Sequence, residues 1–378
     1  MRENPLRDQL VPQNDNLFSD WDIGTSETES AVVDYRHRIA VRLLLIAVCA
    51  FLCILIAGVA ITIGEYHISF TESYRILWDH IVGKELAERI EIVKDHVIWD
   101  LRLPPIIIAI VAGIGLAVSG AAMQSTLRNP LADPYTTGIS SGAAFGATIA
   151  IIYGGGVATG NFATISSAFI FSLVPTALIV SLSVAKRVSP VSMIMAGIAV
   201  MYIFNAVTTM LKLWADPNDL EAIYLWSVGS FDTLGWKDIP AMAAVTIIGS
   251  AALMLISNKL NILASGDESA KSLGIDASRL RILCLIVISL ITASIVSFTG
   301  IIGFVGLVAP HVVRLFIGSD NKFLLPASAA FGAALLLFSD LVGRTIIAPS
   351  VIQVGVITSF IGGPLFLYLI IRQKKEAW

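Results

Sequence analysis

The sequence predicts an all-α polytopic membrane protein of about ten transmembrane helices, with both termini cytoplasmic. Three observations predict it. Of 378 residues, 56% are hydrophobic and 14% charged, with a mean hydropathy of +0.81, whereas a soluble domain is about 45–50% apolar and about a quarter charged. The excess falls in runs of about 20 residues nearly free of charge, long enough to cross about 30 Å of hydrocarbon as helices. Lysine and arginine then divide unevenly between alternate connections. This composition excludes a soluble enzyme and a disulfide-stapled secreted domain, and a net charge of −3 offers nothing to a nucleic acid.

The chain opens on an acidic stretch, 1–35. Glu3, Asp8, Asp15, Asp20, Asp22, Glu27, Glu29 and Asp34 outnumber Arg2 and Arg7 there, and large apolar residues are few. Such a stretch cannot bury enough surface to offset its ordering entropy, so a disordered cytoplasmic tail is expected. Residues 36–378 would form the transmembrane domain. The first apolar run begins near Ile39 and is too long for the core of a cleavable leader.

Ten apolar segments follow, at about 39–63, 104–125, 137–153, 162–185, 190–212, 239–257, 280–299, 304–317, 323–343 and 351–371. The eighth is too short for a standard span and is expected as a half-helix shielded by protein. Placing the N terminus inside puts 17 of the 25 Lys and Arg on the cytoplasmic side, including Arg42, Arg128, Arg281, Arg314 and Lys322. Arg75, Lys84, Arg89, Lys94, Arg102, Lys212, Lys237 and Arg344 stay outside. That asymmetry follows the positive-inside rule.

Two outer connections are long. Residues 64–100 are polar and amphipathic, and 213–237 mix Trp214, Trp226 and Trp236 with acids, suggesting a short helix on the outer surface. The longest inner connection is 258–281. Its apolar residues Leu260, Ile262 and Leu263, then Ala270, Leu273 and Ile275, predict two short amphipathic helices split near Ser265–Gly266. A helical pattern without lipid around it suits a docking surface; a solvated hairpin is the alternative. Small residues stack on single faces: Gly138, Gly142 and Gly146 in the third segment, Gly113 and Ala117 in the second. They let helix backbones approach closely in lipid.

Few residues suggest chemistry. Cys49, Cys53 and Cys284 lie in apolar runs with no ligand spacing, and no metal site is predicted. Gly138-Ile139-Ser140-Ser141-Gly142 matches the nucleophile-elbow pattern outside the strand-to-helix turn that it needs. An intramembrane serine protease would have to pair Ser140 or Ser141 with His311. Asp340 and Arg344, at i and i+4, can pair and soften the membrane cost of both charges. A carrier driven by an ion gradient would usually show more buried acids than Asp340. No phosphate-binding loop is present, so the chain is not expected to hydrolyse ATP by itself.

Several strings, in order, extend this reading. They are Arg102-Leu103-Pro104; Ser119-Gly120 through Gln124; Arg128-Asn129-Pro130-Leu131-Ala132-Asp133-Pro134; and Gly138–Gly142. Then come Gly266-Asp267-Glu268 with Ala270, Ser272, Leu273 and Gly274; Gly303–Leu307 with Pro310, His311 and Arg314; Asp340-Leu341 with Arg344; and Gly362 with Pro364. Together they resemble the FecCD-type permeases, membrane subunits of ABC importers for iron–siderophore complexes, haem and cobalamin. The resemblance runs from about residue 40 to 372.

It implies a type II importer fold in the cytoplasmic membrane of a bacterium or archaeon. It also implies a homodimer or pseudo-dimer with a central pathway, two cytoplasmic ABC ATPase subunits carrying ATP and Mg, and an external substrate-binding protein. No cofactor would be held by this chain. By analogy, Gly266, Asp267, Glu268, Ala270, Ser272, Leu273 and Gly274 form the ATPase coupling surface. Gly138, Ile139, Ser140, Ser141 and Gly142 help form a cytoplasmic gate, and Arg102 and Arg344 meet carboxylates of the binding protein. The cargo cavity would be lined mainly by the fifth and tenth segments. Two departures stand out: Pro105 replaces a second arginine, and Val351-Ile352-Gln353 replaces a Glu-Leu-Pro string. An ion-coupled secondary transporter remains the alternative, with the serine protease behind it.

Overall fold

The computed structural model describes residues 25–64, 66–83, 89–154, 161–186, 189–348 and 350–372. Among these residues the fold is helical throughout, without a strand. Each of the ten apolar segments is a helix: α1 (Thr25–Thr62), α4 (Leu103–Leu127), α5 (Ile139–Tyr153), α6 (Asn161–Lys186), α7 (Pro190–Lys212), α9 (Ile239–Leu255), α12 (Ala277–Thr299), α13 (Val305–Ile317), α14 (Asn321–Thr345) and α15 (Val354–Arg372). Five shorter helices join them: α2 (Phe70–Val82), α3 (Arg89–His96), α8 (Pro217–Val228), α10 (Ser257–Ala264) and α11 (Asp267–Ser272). Six described helices are long and apolar enough to cross a bilayer, and α9 with α10, bent by 61°, makes a seventh. α5, α13 and α15 are shorter.

Two expectations need adjusting. The backbone is already helical from Thr25, so α1 begins ahead of the 35/36 boundary; the rest of the acidic tail, 1–24, lies outside the described residues. The outer helix α8 does not simply lie on a surface. Its Ile223 is buried, and its C-terminal Gly229 packs against the Ile301 carbonyl while accepting the Gly355 N–H.

α4 is the centre. Pro104 and Pro105 occupy its first turn, where a missing N–H costs nothing. Its surface of Gly, Ala and Ser lets neighbours pack backbone to backbone. A methyl group at Gly120 would collide with the Gly306 carbonyl on α13, and one at Gly113 with Gly332 and Ala333 on α14. The predicted half-helix is α13, 13 residues and about 20 Å at 1.5 Å per residue, well short of the bilayer core. The irregular stretch before it, Gly300–Phe304, is shielded by protein. The Tyr135 hydroxyl donates to the Ile302 carbonyl at 2.8 Å, and the Ser230 N–H to the Thr299 carbonyl at 2.9 Å. Irregular backbone at membrane depth requires such partners.

Charges sort to opposite ends of the bundle. Arg42, Arg128, Arg281 and Arg314 meet partners near the end that holds α10 and α11. Arg102 and Arg344 occupy the other end, at the start of α4 and the close of α14. This matches the two sides assigned from lysine and arginine counts.

Candidate functional site

Helices α10 and α11 form the element expected between 258 and 281, split where expected. Gly266 has φ +121°, a conformation open to glycine and strained for other residues. Ala270 is fully buried, as are Leu260 and Leu263. Glu268, Ser272, Leu273 and Gly274 face outward, and Leu273 is 63% exposed. Asp267 faces the bundle instead, and its carboxylate takes the Arg281 guanidinium at 2.7 Å. Arg281 also donates to the Thr126 carbonyl at 3.2 Å, one of the carbonyls a helix end leaves without a partner. A cleft of about 830 Å³ opens beside this element, lined by Ser183, Asp267, Lys271, Asp276, Arg279 and Ile282 among others.

The chain between α4 and α5 builds a second candidate site. Arg128 closes α4 in a left-handed conformation, φ 50°. Asp133 then caps a 3-10 turn, Pro134–Thr137, accepting the Thr136 N–H at 2.9 Å. Burial pushes the Asp133 carboxyl up to about 6, against the lowering effect of the Thr136 and Tyr135 N–H groups. Gly138, φ +88°, turns the chain into α5. The Ser141 hydroxyl donates to the Gly138 carbonyl at 2.8 Å; Ile139 is fully buried and Ser140 half-buried.

The facing helix explains the glycines. Pro175 in α6 lacks the N–H that would bond the Phe171 carbonyl. That carbonyl points at Gly142, where a methyl group would strike it. The gate candidates therefore press on a helix already weakened at one hydrogen bond, where helices bend most readily.

At the other end, Arg102 and Arg344 are both engaged. Arg102 is 4% exposed and donates to the Ile61 and Tyr66 carbonyls at 2.8 and 2.5 Å. Arg344 pairs with Asp340 at 2.8 Å, with side-chain exposures of 12% and 6%. Trp236 donates to the Trp99 carbonyl at 3.0 Å, joining the two long outer connections. A cavity of about 360 Å³ lies between α5, α6, α8 and the end of α12, with Trp226, Asp232, Phe298 and Gln353 in its wall. Its wall comes mainly from α8, the chain after it at 230–234 and the end of α12, with Ile151, Thr164 and Ile165 from the third and fourth apolar segments and Gln353 alone from the tenth. The fifth segment, α7, contributes none of its lining. No group of three or more His, Cys, Asp or Glu suited to a metal exists among the described residues.

Residues 48–372 match the FecCD transport family. A Methanocaldococcus jannaschii protein described as an ABC transporter permease is 42% identical over 326 residues, covering 84% of this chain and 91% of the relative. The chain belongs to the FecCD transport family. The hemin transport system permease of Yersinia pestis is 35% identical over 341 residues, 90% of this chain and 98% of the relative. The cobalamin import system permease of Halobacterium salinarum is 39% identical over 282 residues, 74% and 75% of the two chains. A solved ABC transporter described as of metal-chelate type, in an inward-facing conformation, superposes with a TM-score of 0.76 at 30% identity, covering 87% of this chain and 99% of the other.

As a FecCD permease the chain is an integral membrane subunit of an ABC importer. The ATPase is a separate subunit, and the family works with ATPases and a substrate-binding protein. Membership removes the protease reading, since these permeases are not enzymes. It also favours ATP-driven import over an ion-coupled carrier.

Sequence reasoning missed the polar contacts at the inner end of α4. Gln124 enters the sequence reading only as the end of the Ser119–Gln124 string, and Ser125, Asn261, Asp320 and Asn321 do not enter it. Their one legible signal is that polar side chains at the edge of an apolar run need partners.

Proposed function

We propose that this chain is the permease of an ABC importer for a haem, cobalamin or iron-chelate cargo, and that it works as a homodimer with two ATPase subunits in the cytoplasmic membrane. About ten helices, α13 among them as a half-helix, build its membrane domain, with both termini inside. ATP and Mg act on the partner subunits, and the cargo carries its own metal ligands. The observation that carries the reading is the α10–α11 element. It is a helical hairpin with a buried inner face, an exposed Leu273 and a cleft beside it, held to the bundle through Asp267 and Arg281. A helical hairpin outside the apolar segments, with Leu260, Leu263 and Ala270 buried and Glu268, Lys271, Ser272 and Leu273 exposed, offers another protein a formed surface.

Closure of the ATPases on ATP would move this element. The cytoplasmic gate around Gly138, Ile139, Ser140, Ser141 and Gly142 would respond, helped by the missing bond at Pro175. Gly266, Asp267, Glu268, Ala270, Ser272, Leu273 and Gly274 supply the coupling surface. Arg102 and Arg344 are the candidates for docking the binding protein. Arg102 would have to exchange the Ile61 and Tyr66 carbonyls for a partner's carboxylates.

Co-expression with the neighbouring ATPase and binding-protein genes tests the reading. A stable complex whose ATP hydrolysis in liposomes rises with the binding protein is expected. Transport by the chain alone on an ion gradient, or uptake persisting with an inactive ATPase, would overturn it.

A further inference from the structure

We propose that the last turn of α4 is the hub through which the α10–α11 element moves the bundle, with Gln124, Ser125 and the Thr126 carbonyl as its three arms. Each arm reaches a different helix. The Gln124 side chain accepts from the Arg314 guanidinium of α13 at 2.7 Å. Ser125 donates to the Asn321 side chain of α14 at 2.9 Å. The Thr126 carbonyl accepts from Arg281 of α12 at 3.2 Å. Successive side chains on a helix point about 100° apart, so Gln124 and Ser125 diverge, while the Thr126 carbonyl points along the axis from the helix end.

Both coupling helices are tied to this turn. From α10, Asn261 accepts the backbone and side-chain N–H groups of Asn321 at 2.7 and 2.9 Å, and Asn321 in turn takes Ser125. From α11, Asp267 holds Arg281, which holds Thr126. Arg128 adds a third tie, 4.0 Å from the Asp267 carboxylate. Asn261 further donates to Asp320, which also receives Arg42 of α1. A push on α10–α11 therefore reaches α4 along two independent chains of hydrogen bonds.

The motion cannot be absorbed above the hub. Gly120 sits one turn up, backbone to backbone with Gly306, and Gly113 does the same against α14. Close-packed contacts transmit displacement, because they deform little. Below the hub, Arg128 leads through the Asp133 turn into Gly138, so the same displacement arrives at the gate candidates. Discrete polar contacts that can be exchanged, joined to a rigid rod, are the kind of element that couples distant sites.

This inference rests on the importer reading, and its test separates the two. In the complete complex with ATPase, a Leu131→Cys reporter in the chain between the hub and the gate, where Leu131 is 41% exposed, is labelled with a water-soluble maleimide, without nucleotide and after trapping with ATP and vanadate; the native cysteines are buried. Ser125→Ala, which loses one bond, is expected to shrink the nucleotide-dependent change in labelling rate at least about threefold while hydrolysis stays within about twofold. Ser125→Thr restores it. Gln124→Leu behaves like Ser125→Ala, and Gln124→Glu, which keeps an acceptor for Arg314, recovers. An unaltered labelling change in Ser125→Ala and Gln124→Leu overturns the hub. So does a parallel fall of labelling change and hydrolysis, which marks a purely structural role. A reporter that never responds to nucleotide while hydrolysis proceeds also overturns it. An unsubstituted chain that recruits no ATPase removes the importer reading itself.

Discussion

Helices α4 and α7 are nearly equal in length and both strongly apolar, yet the bundle treats them oppositely. In the span that holds α4, 83% of the most apolar stretch is buried; in α7 the figure is 17%. α4 carries Gly113, Gly115 and Gly120 among alanines, and its neighbours approach to backbone contact. α7 shows Val191, Met195, Ile198, Tyr202, Ile203 and Met210 to its surroundings. Hydrophobicity does not distinguish the core of a membrane protein from its periphery, because lipid is as apolar as leucine; side-chain size does.

Gly120→Val should disturb this contrast most. The added side chain has no space against Gly306, so a loss of about 3 kcal/mol or more is expected, seen as poor yield and a much lower melting temperature in detergent. Arg281→Met comes next. It leaves the Thr126 carbonyl buried without its donor and Asp267 with only the more distant Arg128, a cost of about 1–3 kcal/mol in the same melt. On α7, Ile203→Ala should change stability by less than about 0.5 kcal/mol, as exposed substitutions usually do. Tyr202→Cys should be trapped by a bifunctional maleimide as a linked pair of chains if a second copy covers that face. Labelling without linkage would place lipid there instead.

A pH-dependent test concerns the turn between the gate and α4. Asp133 has its carboxyl raised to about 6, from an ordinary value of 3.8. The folded protein therefore binds a proton more tightly than the unfolded chain. Its contribution is fully present below about pH 4 and is lost as pH rises through about 6. Asp133→Asn keeps a cap for the Thr136 N–H and has no proton to lose. Its melting temperature should match the parent's at pH 4 and exceed it at pH 8; equal values at both would remove buried-carboxyl strain from this turn.

Much of the site is legible in the sequence, and for physical reasons. Positive φ at Gly266 and the buried Ala270 are consequences of a two-helix pattern that is local in sequence. The short eighth segment announces a half-helix through its length alone. The ties among Ser125, Asn321 and Asn261 are not legible, because they join residues 60 and 196 positions apart. Nor is the engagement of Arg102, whose partners are backbone carbonyls 41 and 36 residues away. A carbonyl has no sequence signature.

That the chain lives in a bilayer, which segments are helices, which charges share an end and which family it joins all follow from the order of its amino acids. Each rests on composition, on periods of a few residues, or on strings that a local rule can read. Folding in three dimensions selects which equally apolar helix is core, which glycine meets which carbonyl, and which polar residues at segment ends gather around α4. Those outcomes depend on contacts between distant positions, where shape and direction select among partners that hydrophobicity alone leaves equivalent.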